Sequence, residues 1–98
     1  MALDIHILEG GKVGQLLYSI DEEAYDALEP AFNIYFRKTG LFIDQYGSLK
    51  LSSGFKPLID AIDKAMSQTN EHRELFMELR NQLVDAENNG CAIIFEGD

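Results

Sequence analysis

Cysteine occurs once in this 98-residue chain, histidine and proline twice each, tryptophan not at all, and acids outnumber Lys and Arg by 17 to 8. Each shortage excludes something. A lone cysteine, Cys91, allows no internal disulfide and no cysteine-based metal site, and its solitude fits a reducing cytoplasm. His6 and His72 fall in a predicted strand and near the start of a predicted helix, without HExxH or His-x3-His spacing, so nothing in the pattern asks for zinc. With a formal net charge of −9, the chain lacks the clustered cations that grip phosphate, which argues against nucleic acid and against an anionic membrane surface as partners. No apolar run approaches the ~20 residues of a membrane-spanning helix. The opening "MALDIHILEGG" carries Asp4 where a secretory signal needs basic residues, and Asp4 and His6 interrupt its apolar run, so a cytoplasmic location is expected.

Catalytic constellations are missing too. Ser48, Ser52 and Ser53 lie outside any GxSxG elbow, and the latter two read as helix caps. Cys91 begins an apolar run, where a thiol is expected to be structural and buried rather than ionised. Asp60 and Asp63, with Lys56 and Lys64 at i,i+4 spacing, read as a solvated helix face rather than a paired-carboxylate site. "DQYGS" lacks the acid alternation of an EF-hand, and Gly10, Gly11 and Gly14 belong to a hairpin turn rather than a phosphate cradle. The sequence therefore reads as a protein that is not an enzyme and carries no cofactor and no metal.

What is present is enough apolar material for one core: 46% of residues are hydrophobic and 26% charged, no linker divides residues 1–98, and one globular domain is expected. Leu3, Ile5 and Ile7 alternate with Asp4 and His6 as in a half-buried strand. Gly10-Gly11 then supplies a tight turn, and Val13–Ile20 returns with Leu16, Tyr18 and Ile20 on one face and Leu17 on the other. Ser19 or Asp21 can cap a first helix with acids in its first turn. Its apolar face is Tyr25, Leu28, Phe32, Tyr35 and Phe36, with a kink or break expected near Leu28 and Glu29 because of Pro30. Gly40 ends it. A second helix begins after Ser52 or Ser53, a third near Asn70, and Cys91–Phe95 forms a terminal strand. This order describes an α+β fold: an N-terminal β-hairpin and a C-terminal strand in a small antiparallel sheet, with about three helices packed on one face. Residues 41–51 can add one or two short strands.

Two stretches remain as candidates for function. Asp21, Glu22, Glu23, Asp26 and Glu29 place five acids within nine residues, more than a capping role needs. In the stretch from Thr39 to Gly54, Leu41 and Ile43 are expected to anchor the chain to the core while Phe42, Asp44 and Tyr46 point out. Tyrosine beside an acid suits an interface, because the ring offers area and the hydroxyl a hydrogen bond. Acidity alone also keeps a chain soluble; beyond that it steers a basic partner. The candidate partner-binding residues are Glu22, Asp26, Glu29, Asp44 and Tyr46.

The segment "TGLFIDQYGSLKLSSGFKPLIDAID", taken with the acidic helix before it, resembles segments of small bacterial proteins of the toxin-immunity kind, as in contact-dependent growth inhibition. That resemblance implies a compact, acidic, cytoplasmic single domain that neutralises a toxin domain, a nuclease or similar enzyme, by occluding it; the acidic balance and the absence of ligand spacing add the expectation of a basic partner and of a monomer or weak dimer. The alternative is a small homodimeric structural or regulatory domain that associates through an exposed sheet edge.

Overall fold

The computed structural model describes residues 2–97. In chain order the elements are strands β1 (Ala2–Glu9) and β2 (Lys12–Asp21), helix α1 (Glu22–Thr39), strand β3 (Ser48–Leu51), helices α2 (Lys56–Gln68) and α3 (Arg73–Asn88), and strand β4 (Ala92–Glu96). The strands make one antiparallel sheet in the order β2-β1-β4-β3, and the architecture is the expected α+β fold. Residues 48–51 supply the fourth strand.

The hairpin turns on Gly10 and Gly11, both at positive φ (58° and 81°), as a two-residue turn matching the right-handed twist of its strands requires. Two irregularities follow. Between the pairs Ile5↔Tyr18 and His6↔Leu16, and again between His6↔Leu16 and Leu8↔Val13, β2 advances one residue more than β1. Strict alternation along β2 therefore fails: Leu17 and Tyr18 both pack against the core, while Leu16 is half-exposed opposite His6. Bulges of this kind re-aim side chains and twist an edge strand away from further pairing.

One sheet face carries Leu3, Ile5, Ile20, Ile93, Phe95 and Leu51, all buried in the core with α1, α2 and α3. α1 starts at Asp21, whose carboxylate accepts from the Ala24 N–H at 2.8 Å, and ends at Gly40 (φ 77°), whose N–H reaches the Phe36 carbonyl. It runs as one helix through Pro30, so the expected break at Leu28 and Glu29 does not occur. Proline removes one backbone donor, and the burial of Leu28, Ala31, Phe32 and Tyr35 on both sides of it offsets that loss.

Other starts and ends also shift. Ser52 and Ser53 do not cap α2; its N-cap is Phe55, without a side-chain cap, and Pro57 occupies the first turn. The buried Phe55 ring fixes this start by packing instead. α3 begins at Arg73, after His72 in the left-handed region at φ 58°. Asp60 and Asp63 reach outside their own helix: Lys38 of α1 lies 3.8 Å from Asp60, and Arg80 of α3 grips Asp63 at 2.7 and 3.4 Å. Cys91 precedes β4, half-buried, with Sγ 3.8 Å from the Asn89 carbonyl, which corrects the expected buried strand thiol. Cys91→Ser should accordingly change stability by less than about 0.5 kcal/mol, because the position is half-exposed and the hydroxyl is not stranded in an apolar site. Chemical denaturation checks this; a loss above about 1 kcal/mol would contradict it.

The second face of the sheet carries Asp4, His6, Ser19, Lys50 and Ile94. Asp4 accepts from the Ser19 hydroxyl at 2.7 Å there, and Ile94, opposite His6 and Lys50, is only 5% exposed. Among the described residues His6 Nδ1 is the one buried side-chain polar atom without a hydrogen bond, its contact to Glu96 at 3.7 Å being too long for one.

Candidate functional site: the α1 ridge and the 41–47 loop

The exposed positions of α1 recur at Glu22, Asp26, Glu29, Asn33 and Phe36, steps of four and three residues that make one stripe along the helix. Beside it runs the loop of residues 41–47. Ile43 is fully buried and anchors the loop, and its carbonyl accepts from the buried Tyr25 hydroxyl of α1 at 2.7 Å. Asp44 Oδ1 accepts from the Tyr46 N–H at 3.0 Å and the Asp44 carbonyl from the Gly47 N–H at 3.3 Å, so the acid closes its own turn. The Gly97 N–H donates to the Gly47 carbonyl at 2.7 Å, and a Cβ on Gly97 would collide with the Gln45 carbonyl. The loop is thus held by the helix, by its own turn and by the C-terminal segment.

This arrangement gathers most of the sequence-derived candidates. Burial pushes the Tyr25 hydroxyl up to about 12, and the neighbouring charges of Glu29, Asp44 and Asp26 push the same way. Those three acids, from two separate elements, are near enough for their charges to act on one hydroxyl. Tyr46 is 57% exposed two residues beyond Asp44. Glu22 is exposed in the first turn of α1 and is not among the charges acting on Tyr25.

Three apolar residues at the other end of the stripe were not foreseen together. Phe36, assigned by periodicity to the core, is 47% exposed, and Leu41, expected to point inwards, is 40% exposed. Phe42 is 46% exposed, as alternation suggested, and meets Phe36 edge-on, ring centroids 5.6 Å apart at 76°. The signal for Phe36 was available: it lies seven residues after Glu29, so it continues the polar stripe rather than the buried one.

Three open depressions of about 230 to 280 Å³ lie along the helices, one of them lined in part by Asp26 of the ridge itself, and all are below the size of usual small-molecule sites. One, between α1 and α2, is lined by Ile34, Arg37, Lys38 and Lys64; Arg37 and Lys38 also suit the negative C-terminal end of α1. Among the described residues no group of three or more His, Cys, Asp or Glu could hold a metal ion, and no helix is long and apolar enough to cross a membrane. No family model, curated protein or solved structure matches the chain.

Proposed function

We propose that this protein is a binding module of the toxin-immunity kind, which engages a basic protein domain in the bacterial cytoplasm and neutralises it by occlusion. The observation that carries the reading is the bond from the Tyr25 hydroxyl to the Ile43 carbonyl, which ties the helix bearing the exposed Asp26 and Glu29 to the loop bearing the exposed Asp44 and Tyr46. A field of one sign on a fixed surface accelerates encounter with a basic partner, and the tied loop lowers the ordering cost of docking. Inhibition by occlusion needs no chemistry from the inhibitor.

The test is co-expression with the protein encoded beside this chain in its genome. Rescue of growth and co-purification are expected, both weakened in the triple variant Asp26→Asn, Glu29→Gln, Asp44→Asn. Asparagine at position 44 keeps an oxygen acceptor for the Tyr46 N–H, so the loop stays closed while the charge is lost. In the complex, neutralising the charges should slow association at low salt by about tenfold or more, and Tyr46→Ala should act chiefly on dissociation. Toxicity and binding unaffected by this chain would overturn the reading.

A homodimeric domain remains the second reading, favoured by one observation: Val13 and Leu16 are half-exposed on β2. Edge pairing is hindered by the two bulges of β2 and by the four-residue length of β3. Sedimentation equilibrium of wild type against Leu16→Glu separates the readings, since a dimer lost on substitution would support self-association.

A further inference from the structure

We infer that the partner is anchored on an apolar platform made by Phe36, Leu41 and Phe42, and that it presents apolar side chains roughly 10 to 15 Å from a basic cluster. This deepens the reading of the chain as a binder of a basic protein, and rests on it, by naming residues that supply affinity where the acids supply steering.

The platform is built rather than incidental. Gly40, at φ 77°, reverses the chain after α1, and its N–H closes on the Phe36 carbonyl at 2.7 Å. Thr39 Oγ1 donates to the Tyr35 carbonyl at 2.8 Å and accepts from the Leu41 N–H at 3.1 Å, which fixes the exit of the loop. The burial of Ile43 and the bond from Tyr25 to its carbonyl hold the far end. Between these fixed points Phe42 is laid back against Phe36. Four of the seven large hydrophobic residues exposed on the described surface, Phe36, Leu41, Phe42 and Tyr46, come from this one stretch of chain. Aromatic side chains held in place and half-exposed lose little freedom on binding, and they are the usual carriers of interface affinity.

Charge selects the occupant. From Phe36 back to Glu29 is seven residues and to Asp26 ten, or about 10 and 15 Å along a helix, and Asp44 lies beyond Phe42 on the loop. A second copy of this chain, at a net charge of −9, would bring like charges to the acidic end, whereas a basic partner meets both ends.

Two synthetic helical peptides of equal positive charge test this by isothermal titration calorimetry at low and moderate salt. One carries Lys at one end and Leu and Phe at the other; the second replaces the apolar end with Ser and Gln. The apolar-ended peptide is expected to bind wild type about tenfold more tightly. That advantage should vanish in Phe36→Ala and Phe42→Ala, while Asp26→Asn combined with Glu29→Gln should weaken both peptides alike and flatten their salt dependence. Circular dichroism of each variant confirms that it is folded, and Phe36→Ser repeats the loss with a smaller apolar remnant. Equal affinity of the two peptides for wild type, or an advantage that survives both Phe substitutions, overturns the inference. So does a dimer in sedimentation that Phe36→Ala dissociates, because a second copy then covers the platform. If the peptides behave as expected but the neighbouring protein is not neutralised, the immunity reading falls and the platform stands.

Discussion

Phe32→Ala should lower the unfolding free energy by about 3 to 5 kcal/mol, the range for truncating a buried aromatic ring. Phe32 is fully buried on α1, its ring centroid 5.4 Å from that of Tyr25, and it belongs to the core shared by the sheet and all three helices. Truncation removes the transfer free energy of the ring and leaves a cavity that several elements would have to move together to fill. A domain of 98 residues has a total stability of roughly 5 to 15 kcal/mol, so the variant approaches the limit of folding. The melting temperature should fall by roughly 15 °C or more. Phe32→Leu, which keeps most of the volume, should cost less than half as much. A loss below about 1 kcal/mol for the alanine variant would show that the α1–sheet core is not packed as described.

Tyr25→Phe should cost about 1 to 3 kcal/mol, because it keeps the ring against Phe32 and strands the buried Ile43 carbonyl without its donor. The same hydroxyl makes stability depend on alkaline pH. Burial comes first and the charges of Glu29, Asp44 and Asp26 second in pushing Tyr25 from 10.0 to about 12. Tyr18 is pushed up to about 12 as well, by burial and by its 2.7 Å bond to Glu78. A raised folded-state value means that the native protein holds its phenolic protons longer than the unfolded chain does. The contribution is therefore complete below pH 10 and is lost as pH rises from 10 towards 12. Urea unfolding between pH 9 and 12 should show stability falling across that window in wild type, with a shallower fall in Tyr25→Phe. Amide exchange of residues 43–47 should speed up in the variant, since the tie between loop and helix is gone. A slope unchanged by the substitution would remove Tyr25 from this account.

The sequence by itself determined what depends on local chemistry. The Gly10-Gly11 turn, the Asp21 cap, the Gly40 stop, the helical spacing of Leu28, Phe32 and Tyr35, and the one-sided charge are each set by residues a few positions apart, so the α+β layout was legible before any coordinates. The tertiary structure decided whatever depends on distant partners. Leu16 faces outwards because two bulges against β1 break the alternation of β2. α1 survives Pro30 because burial on both sides of it outweighs one lost backbone bond. Asp60 and Asp63 find Lys38 and Arg80 on other helices rather than lysines of their own. The interaction surface is the clearest case. Asp26 and Asp44 stand 18 positions apart in the chain, and no periodicity links a helix to the loop after it. The Tyr25 hydroxyl, reaching the Ile43 carbonyl, ties the loop to the helix, and Phe42 meets Phe36 edge-on at the end of the stripe.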